Sequence, residues 1–190
     1  MSDNPWARPT RWLHLGLSLT VTVQLFVSLL MEPPGHHGGR TALQAGGFEV
    51  HEWSGMAALA IVILHWGWSL SGRKSLLRHL FPWSRAGWTR VRADLAGLMR
   101  LDPPAGGPDG GLAGLVHGLG LLAVTFMAIS GGALFALLPE SGRPPASVHE
   151  IGDIHSFVAT FVWIYWWGHV VLAVFHHFKG HDTLRNIYRL

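Results

Sequence analysis

Cysteine is absent from the 190 residues of the chain. Disulfides, cysteine-ligated iron–sulfur clusters and covalent c-type haem through CxxCH are therefore excluded. Charge is also scarce: Asp, Glu, Lys and Arg make up 13% of the sequence, about half of what soluble domains carry. Hydrophobic residues reach 49%, with ten tryptophans, and the mean hydropathy is +0.28. This composition sets a soluble globular domain aside in favour of a membrane protein.

Four stretches, residues 12–31, 51–72, 111–139 and 151–178, hold almost no Asp, Glu, Lys or Arg, the exceptions being Glu52 and Asp153. Each reaches the roughly 20 residues that a helical crossing needs. The expectation is an all-α fold, a four-helix transmembrane bundle forming a single domain over residues 1–190. The first stretch is too long for a signal-peptide core, and no small-x-small cleavage site precedes Glu32, so it reads as a retained anchor. Orientation follows from Lys and Arg, which favour the cytoplasm. Arg8 and Arg11 precede the first stretch, seven basic residues from Arg73 to Arg100 lie between the second and third, and Lys179, Arg185 and Arg189 follow the fourth. Only Arg40 and Arg143 fall on the other side, so both termini are expected in the cytoplasm. The basic pI is thereby explained without nucleic acid.

Residues 32–50 and 140–150, rich in Gly and Pro, read as outer loops. The cytoplasmic loop, 73–110, contains "SRAGWTRVRADLAGLM", where Trp88, Val91, Leu95 and Leu98 share one helical face. A helix in the headgroup region and a solvated helix both fit that pattern. "LDPPAGGPDGG" then links into the third stretch. Of the tryptophans, 66, 68, 163, 166 and 167 read as interface anchors or core.

The histidines carry the chemistry. His155 and His169 stand fourteen residues apart in "IHSFVATFVWIYWWGH", and His51 and His65 repeat the interval in "HEWSGMAALAIVILH". Fourteen residues is two heptads, about 21 Å along a helix, which keeps both rings on one interior seam. With the two helices parallel, His51 comes level with His155 and His65 with His169. A single intramembrane histidine is as readily a satisfied core group as a ligand, but matched depths favour ligation. Zinc or copper would want three or four ligands at one level, whereas haem iron is satisfied by two axial imidazoles. Two imidazoles leave no open position, which suits electron transfer rather than oxygen binding.

In order and spacing, "RWLHLGL", "HEWSG", "VHGLGLLAVTFMAISGG", "IHSFVATFVWIYWWGH" and "FHHFKGHDTLRNI" resemble the prokaryotic cytochrome b561 family over nearly the whole chain. That family is related to the cytochrome b subunits of hydrogenases and formate dehydrogenases. The resemblance implies two non-covalent b haems with His14, His51, His155 and His169 as axial ligands, His51 pairing with His155 and His14 with His169. The chain departs from the family pattern at Ser156, commonly Glu, and at His65, commonly Arg. His65 is thus the rival of His14 for the inner iron. His65 and His117 are otherwise expected near haem propionates or a quinone on the cytoplasmic side, with Arg11 or Arg73. His36 and His37 read as surface residues, while His176, His177 and His181 sit where imidazoles suit a helix C-terminus.

The expected function is electron transfer in a bacterial inner membrane between the quinone pool and a periplasmic redox protein or enzyme subunit, alone or as a homodimer. The resemblance also admits a stand-alone superoxide:quinone oxidoreductase. A reading from another class is a haem-free anchor or a divalent-metal permease, against which the near absence of intramembrane carboxylates argues.

Overall fold

A computed structural model describes residues 6–34, 39–71, 74–101, 110–139, 142–180 and 183–188. His36, His37, Arg73, His181, Arg189 and linker residues 102–109 lie outside the described residues. Among the described residues, regular structure is wholly helical: α1 (Arg8–Val27), α2 (Ala42–Leu70), α3 (Lys74–Leu80), α4 (Arg85–Met99), α5 (Gly111–Leu137), α6 (Ala146–Phe178) and α7 (Thr183–Tyr188).

Helix boundaries follow local chemistry. Pro9 is tolerated in the first turn of α1, where its missing N–H would have no partner, and Pro33 and Pro34 lie beyond the helix end. The start of α2 falls inside the stretch expected to be loop, because Thr41 and Gln44 form a capping box. The Gln44 N–H donates to Thr41 Oγ1 at 3.2 Å, and the Thr41 N–H donates to Gln44 Oε1 at 2.9 Å. Likewise α6 begins five residues before position 151: the Val148 and His149 N–H groups donate to the Pro145 carbonyl at 3.0 Å. It runs off at Gly180, whose φ of +84° suits glycine after a helix end. Ser84 caps α4, accepting the Gly87 N–H at 3.1 Å. The Asp94 carboxylate of α4 accepts the Leu112 N–H at 2.8 Å, answering one exposed donor of the first turn of α5. The short helices α3 and α7 were not foreseen from hydropathy, being too brief and too polar to register.

Three helices, α2, α5 and α6, are long and apolar enough to cross a membrane. With 20 residues α1 has the length, but Arg11, His14 and Gln24 dilute its apolar run. Large apolar side chains point outward: Ile154, Phe157, Phe161, Ile164, Trp167, Val171, Val174 and Phe178 form an exposed row along α6 at steps of three and four. Arg11, His65, Ser69, His79 and Ser130 are buried instead. Apolar outside and polar inside inverts the soluble pattern and matches a protein solvated by lipid.

The chain divides into two compact units. Unit 1 comprises Met1–Leu15, Leu64–Leu122 and Ile164–Leu190. Its α1 and α2 segments join where Trp68 Nε1 donates to Thr10 Oγ1 at 3.1 Å, and Leu80, Val91 and Leu121 are buried. Unit 2 comprises Gly16–Ile63 and Ala123–Trp163. Its segments meet in the order α1, α2, α5, α6 and back to α1. The contacts are Gln24 to His51, Trp53 against Phe135, Ser130 to His155 and Phe26 against Trp163. Leu25, Ala58, Val62, Val124, Ala128 and Val162 fill that interior.

Candidate functional site

Unit 2 brings His51 of α2 and His155 of α6 together, with ring centroids 6.4 Å apart and ring planes 80° to each other. Both rings line a cavity of about 1000 Å³ whose other walls include Val124, Met127 and Ala128. That volume is at the upper end of the roughly 300–1,000 Å³ range of cofactor sites. His51 is held through its backbone: Gln24 Nε2 donates to the His51 carbonyl at 2.6 Å and to Ser54 Oγ at 2.8 Å. His155 is held through its ring, with Nδ1 2.8 Å from Ser130 Oγ. Next to it Gly131 gives the ring room, since a Cβ there would stand 3.2 Å from His155 Cε1. Glu52, Arg143 and Asp153 bring charge to the cavity wall, and His149 Nε2 lies 3.7 Å from Asp153 Oδ2.

In unit 1 His14 of α1 meets His169 of α6 at 6.2 Å between centroids and 48° between planes. Around this pair aromatic rings cluster. Tyr165 stacks on His169 at 5.4 Å and 20°, and Tyr188 of α7 lies edge-on to His14 at 5.8 Å. His117 of α5 comes to 5.1 Å from His169 and 5.8 Å from His79 of α3. Gly120 admits Tyr165, because a Cβ there would collide with the phenol ring. The His65 ring is buried and engaged elsewhere, its Nδ1 3.3 Å from Ser69 Oγ one turn along α2.

These spacings were tested against haem. Two metal–imidazole bonds of about 2 Å, with a ring radius of about 1 Å on either side, span about 6 Å. The 6.2 Å and 6.4 Å pairs fit that span, as does the 5.8 Å between His79 and His117, while the 5.1 Å between His117 and His169 is short of it. Nδ1 of His14 and of His51 is buried with no hydrogen-bond partner. Leaving a buried polar atom so costs about 1–3 kcal/mol, which calls for a partner outside the polypeptide. The residues present fit the group. Among the described residues, no three His, Cys, Asp or Glu gather closely enough to hold a bare metal ion.

Four contributors escaped sequence reasoning. Gln24 could have been noticed as the one amide in the first apolar stretch, and Ser130 as the polar neighbour of the glycine that the third-stretch motif contains. Tyr165 and His79 gave no local signal, since their roles depend on helices distant in sequence. Among His176 and His177 at the inner end of α6, the former is half-buried and the latter exposed.

Compared with known proteins, the chain matches the family described as Prokaryotic cytochrome b561 over residues 5–189. Neither the curated proteins nor the solved structures gave a match.

Proposed function

This chain belongs to the prokaryotic cytochrome b561 family, and from that premise we propose that it moves electrons through two b haems, one in each unit. Membership makes it an integral membrane, haem b electron-transfer protein. In unit 2 the axial ligands are His51 and His155, and in unit 1 His14 and His169. The observation that carries this reading is the recurrence of one arrangement: a histidine of α6 faces a histidine of another helix at 6.4 Å and at 6.2 Å.

A haem held by each pair would supply a one-electron carrier. The chain's own residues fix the rest. Gln24 anchors the backbone at His51, Ser130 orients the His155 ring, and Tyr165 braces His169 from one side. The mixed lining of the unit 2 cavity and the hydrogen bonds to the ligands would set the potential. His65 serves unit 1 beside the ligand pair rather than in it, since His14 is the histidine whose ring faces His169 at 6.2 Å.

The chain crosses the bacterial inner membrane four times, α1 included, because the polar residues of α1 face inward: Arg11 is buried, and Gln24 bonds to α2. Both termini are cytoplasmic, in line with twelve of fourteen basic residues falling on that side. Electrons pass between a quinone and a periplasmic redox protein or enzyme subunit. His117 and its neighbours are the placement for quinone or propionate contacts.

Haem counted per chain in purified single variants tests the ligand set. His51→Ala and His155→Ala each lose one haem, His14→Ala and His169→Ala each lose the other, and His65→Ala keeps both. Loss of a haem in His65→Ala with both retained in His14→Ala would move the ligand. A reduced-minus-oxidised spectrum without a b-type alpha band would end the reading altogether.

A further inference from the structure

The Ser130 hydroxyl sits among three polar atoms: two acceptors, the Phe126 carbonyl at 2.8 Å and the Met127 carbonyl at 3.3 Å, and His155 Nδ1 at 2.8 Å, which donates or accepts according to its tautomer. A hydroxyl has one proton to give. Carbonyl oxygens only accept, so the proton that goes to Phe126 leaves a Ser130 lone pair facing the imidazole. The ring must then bring its own proton, carrying N–H at Nδ1 and a lone pair at Nε2. An imidazole nitrogen can bind a metal only through its lone pair, and the hydrogen bond made by the other nitrogen decides which one that is.

We propose that Ser130 is a positioning residue for His155: it accepts the Nδ1–H, selects the tautomer with Nε2 free for iron, and sets the potential of the haem in unit 2. This rests on His155 being an axial ligand, the reading given above. The arrangement contrasts with His14 and His51, whose buried Nδ1 atoms have no hydrogen-bond partner. Ser130 is itself 8% exposed, so water does not replace its oxygen readily. Gly131 completes the device, because a side chain there would press on Cε1 and turn the ring away from Ser130. A neutral oxygen accepting from Nδ1–H makes the imidazole a stronger donor to iron than an unbonded ring, which stabilises the ferric state.

The test is a potentiometric redox titration of the full-length haem-loaded protein, with electron paramagnetic resonance of the ferric haems. Ser130→Ala keeps both haems, and at a fixed ambient potential the reduced-to-oxidised ratio of one of them rises about tenfold, equivalent to about 59 mV for one electron. The other haem does not move. Ser130→Thr, which keeps the hydroxyl, restores the original potential and resonance signature. Unchanged potentials in Ser130→Ala, or the same shift in Ser130→Thr, overturn the proposal. Should Ser130→Ala fail to hold the haem, Ser130→Thr retaining it at the original potential supports the proposal, and loss in both variants overturns it. His155→Ala measured alongside separates the two claims. Loss of one haem there leaves the ligand reading standing whatever Ser130 does, whereas retention of both removes the ligand and the proposal together.

Discussion

Replacing Gln24 by leucine removes the side-chain tie between α1 and α2 at His51, and its cost can be worked from the contacts. The amide makes two hydrogen bonds, to the His51 carbonyl at 2.6 Å and to Ser54 Oγ at 2.8 Å. Neither acceptor is orphaned by the change. The His51 carbonyl keeps its place in the α-helical ladder, and Ser54 Oγ still donates to the Val50 carbonyl. The desolvation penalty that makes broken buried pairs expensive is therefore absent, leaving the net worth of two hydrogen bonds. Interhelical bonds in membranes average about 0.6 kcal/mol and hydrogen bonds in general about 1, so Gln24→Leu costs about 1–2 kcal/mol. Gln24→Glu behaves differently. A carboxylate cannot donate, and it aims an oxygen at the His51 carbonyl, so the cost rises to about 3 kcal/mol, in the range for a charged group inside a bilayer. Unfolding of the haem-loaded protein in mixed detergent micelles, followed by the Soret band, measures both. The reasoning is refuted if Gln24→Leu costs as much as Gln24→Glu, or if the leucine variant loses a haem while the glutamate variant keeps it.

Two further substitutions bear on other joints. Gly120→Ala drives a Cβ into the Tyr165 ring, which stacks on His169. Overpacking of about 1–3 kcal/mol follows, seen as a lowered melting temperature and a disturbed spectrum of one haem, and Tyr165→Leu in the same chain recovers part of it. Asp94→Ala deprives the Leu112 N–H of its acceptor and lowers stability by about 0.5–2 kcal/mol in thermal unfolding. Asp94→Asn, which keeps an acceptor oxygen, loses much less; equal losses would show that the carboxylate does not act as a cap.

The apolar stretches were legible in the sequence because a lipid-facing helix needs little beyond length and freedom from charge. Their ends were not. Hydropathy is blind to the Thr41–Gln44 capping box and to the donors that Pro145 collects, so α2 and α6 each begin earlier than apolar runs suggest. The first apolar stretch is harder still, since α1 carries Arg11, which is buried, and Gln24, which bonds to α2, within its apolar run. Histidine spacing gave the levels, because rise per residue is a constant of the helix. It could not choose between His14 and His65, because spacing along a helix does not say which ring faces His169 across the bundle. The ties to the histidines were invisible for a related reason: Gln24 reaches His51 across 27 residues of sequence and Ser130 reaches His155 across 25.

Polar side chains in so apolar a protein sort themselves by where their hydrogen bonds go. Thr20 and Thr22 return theirs to carbonyls one turn back in α1, at 2.9 and 2.6 Å. Such back-bonding satisfies the hydroxyl and asks nothing of any other helix. Among the described residues a smaller set crosses between helices: Trp68 to Thr10, Asp94 to the Leu112 N–H, Gln24 to His51 and Ser54, and Ser130 to His155. Two of these four side chains reach a histidine. A third set, Nδ1 of His14 and of His51, is buried with no hydrogen-bond partner. In a surrounding that punishes unmet polar groups, the first set needs no explanation beyond helix formation, the second fixes how helices meet, and the third points to chemistry that the polypeptide does not supply. The bonds that cross to histidines, and the buried Nδ1 atoms of His14 and His51, fall on histidines that pair at 6.2 and 6.4 Å, and this coincidence is what supports the proposal that those pairs hold haem.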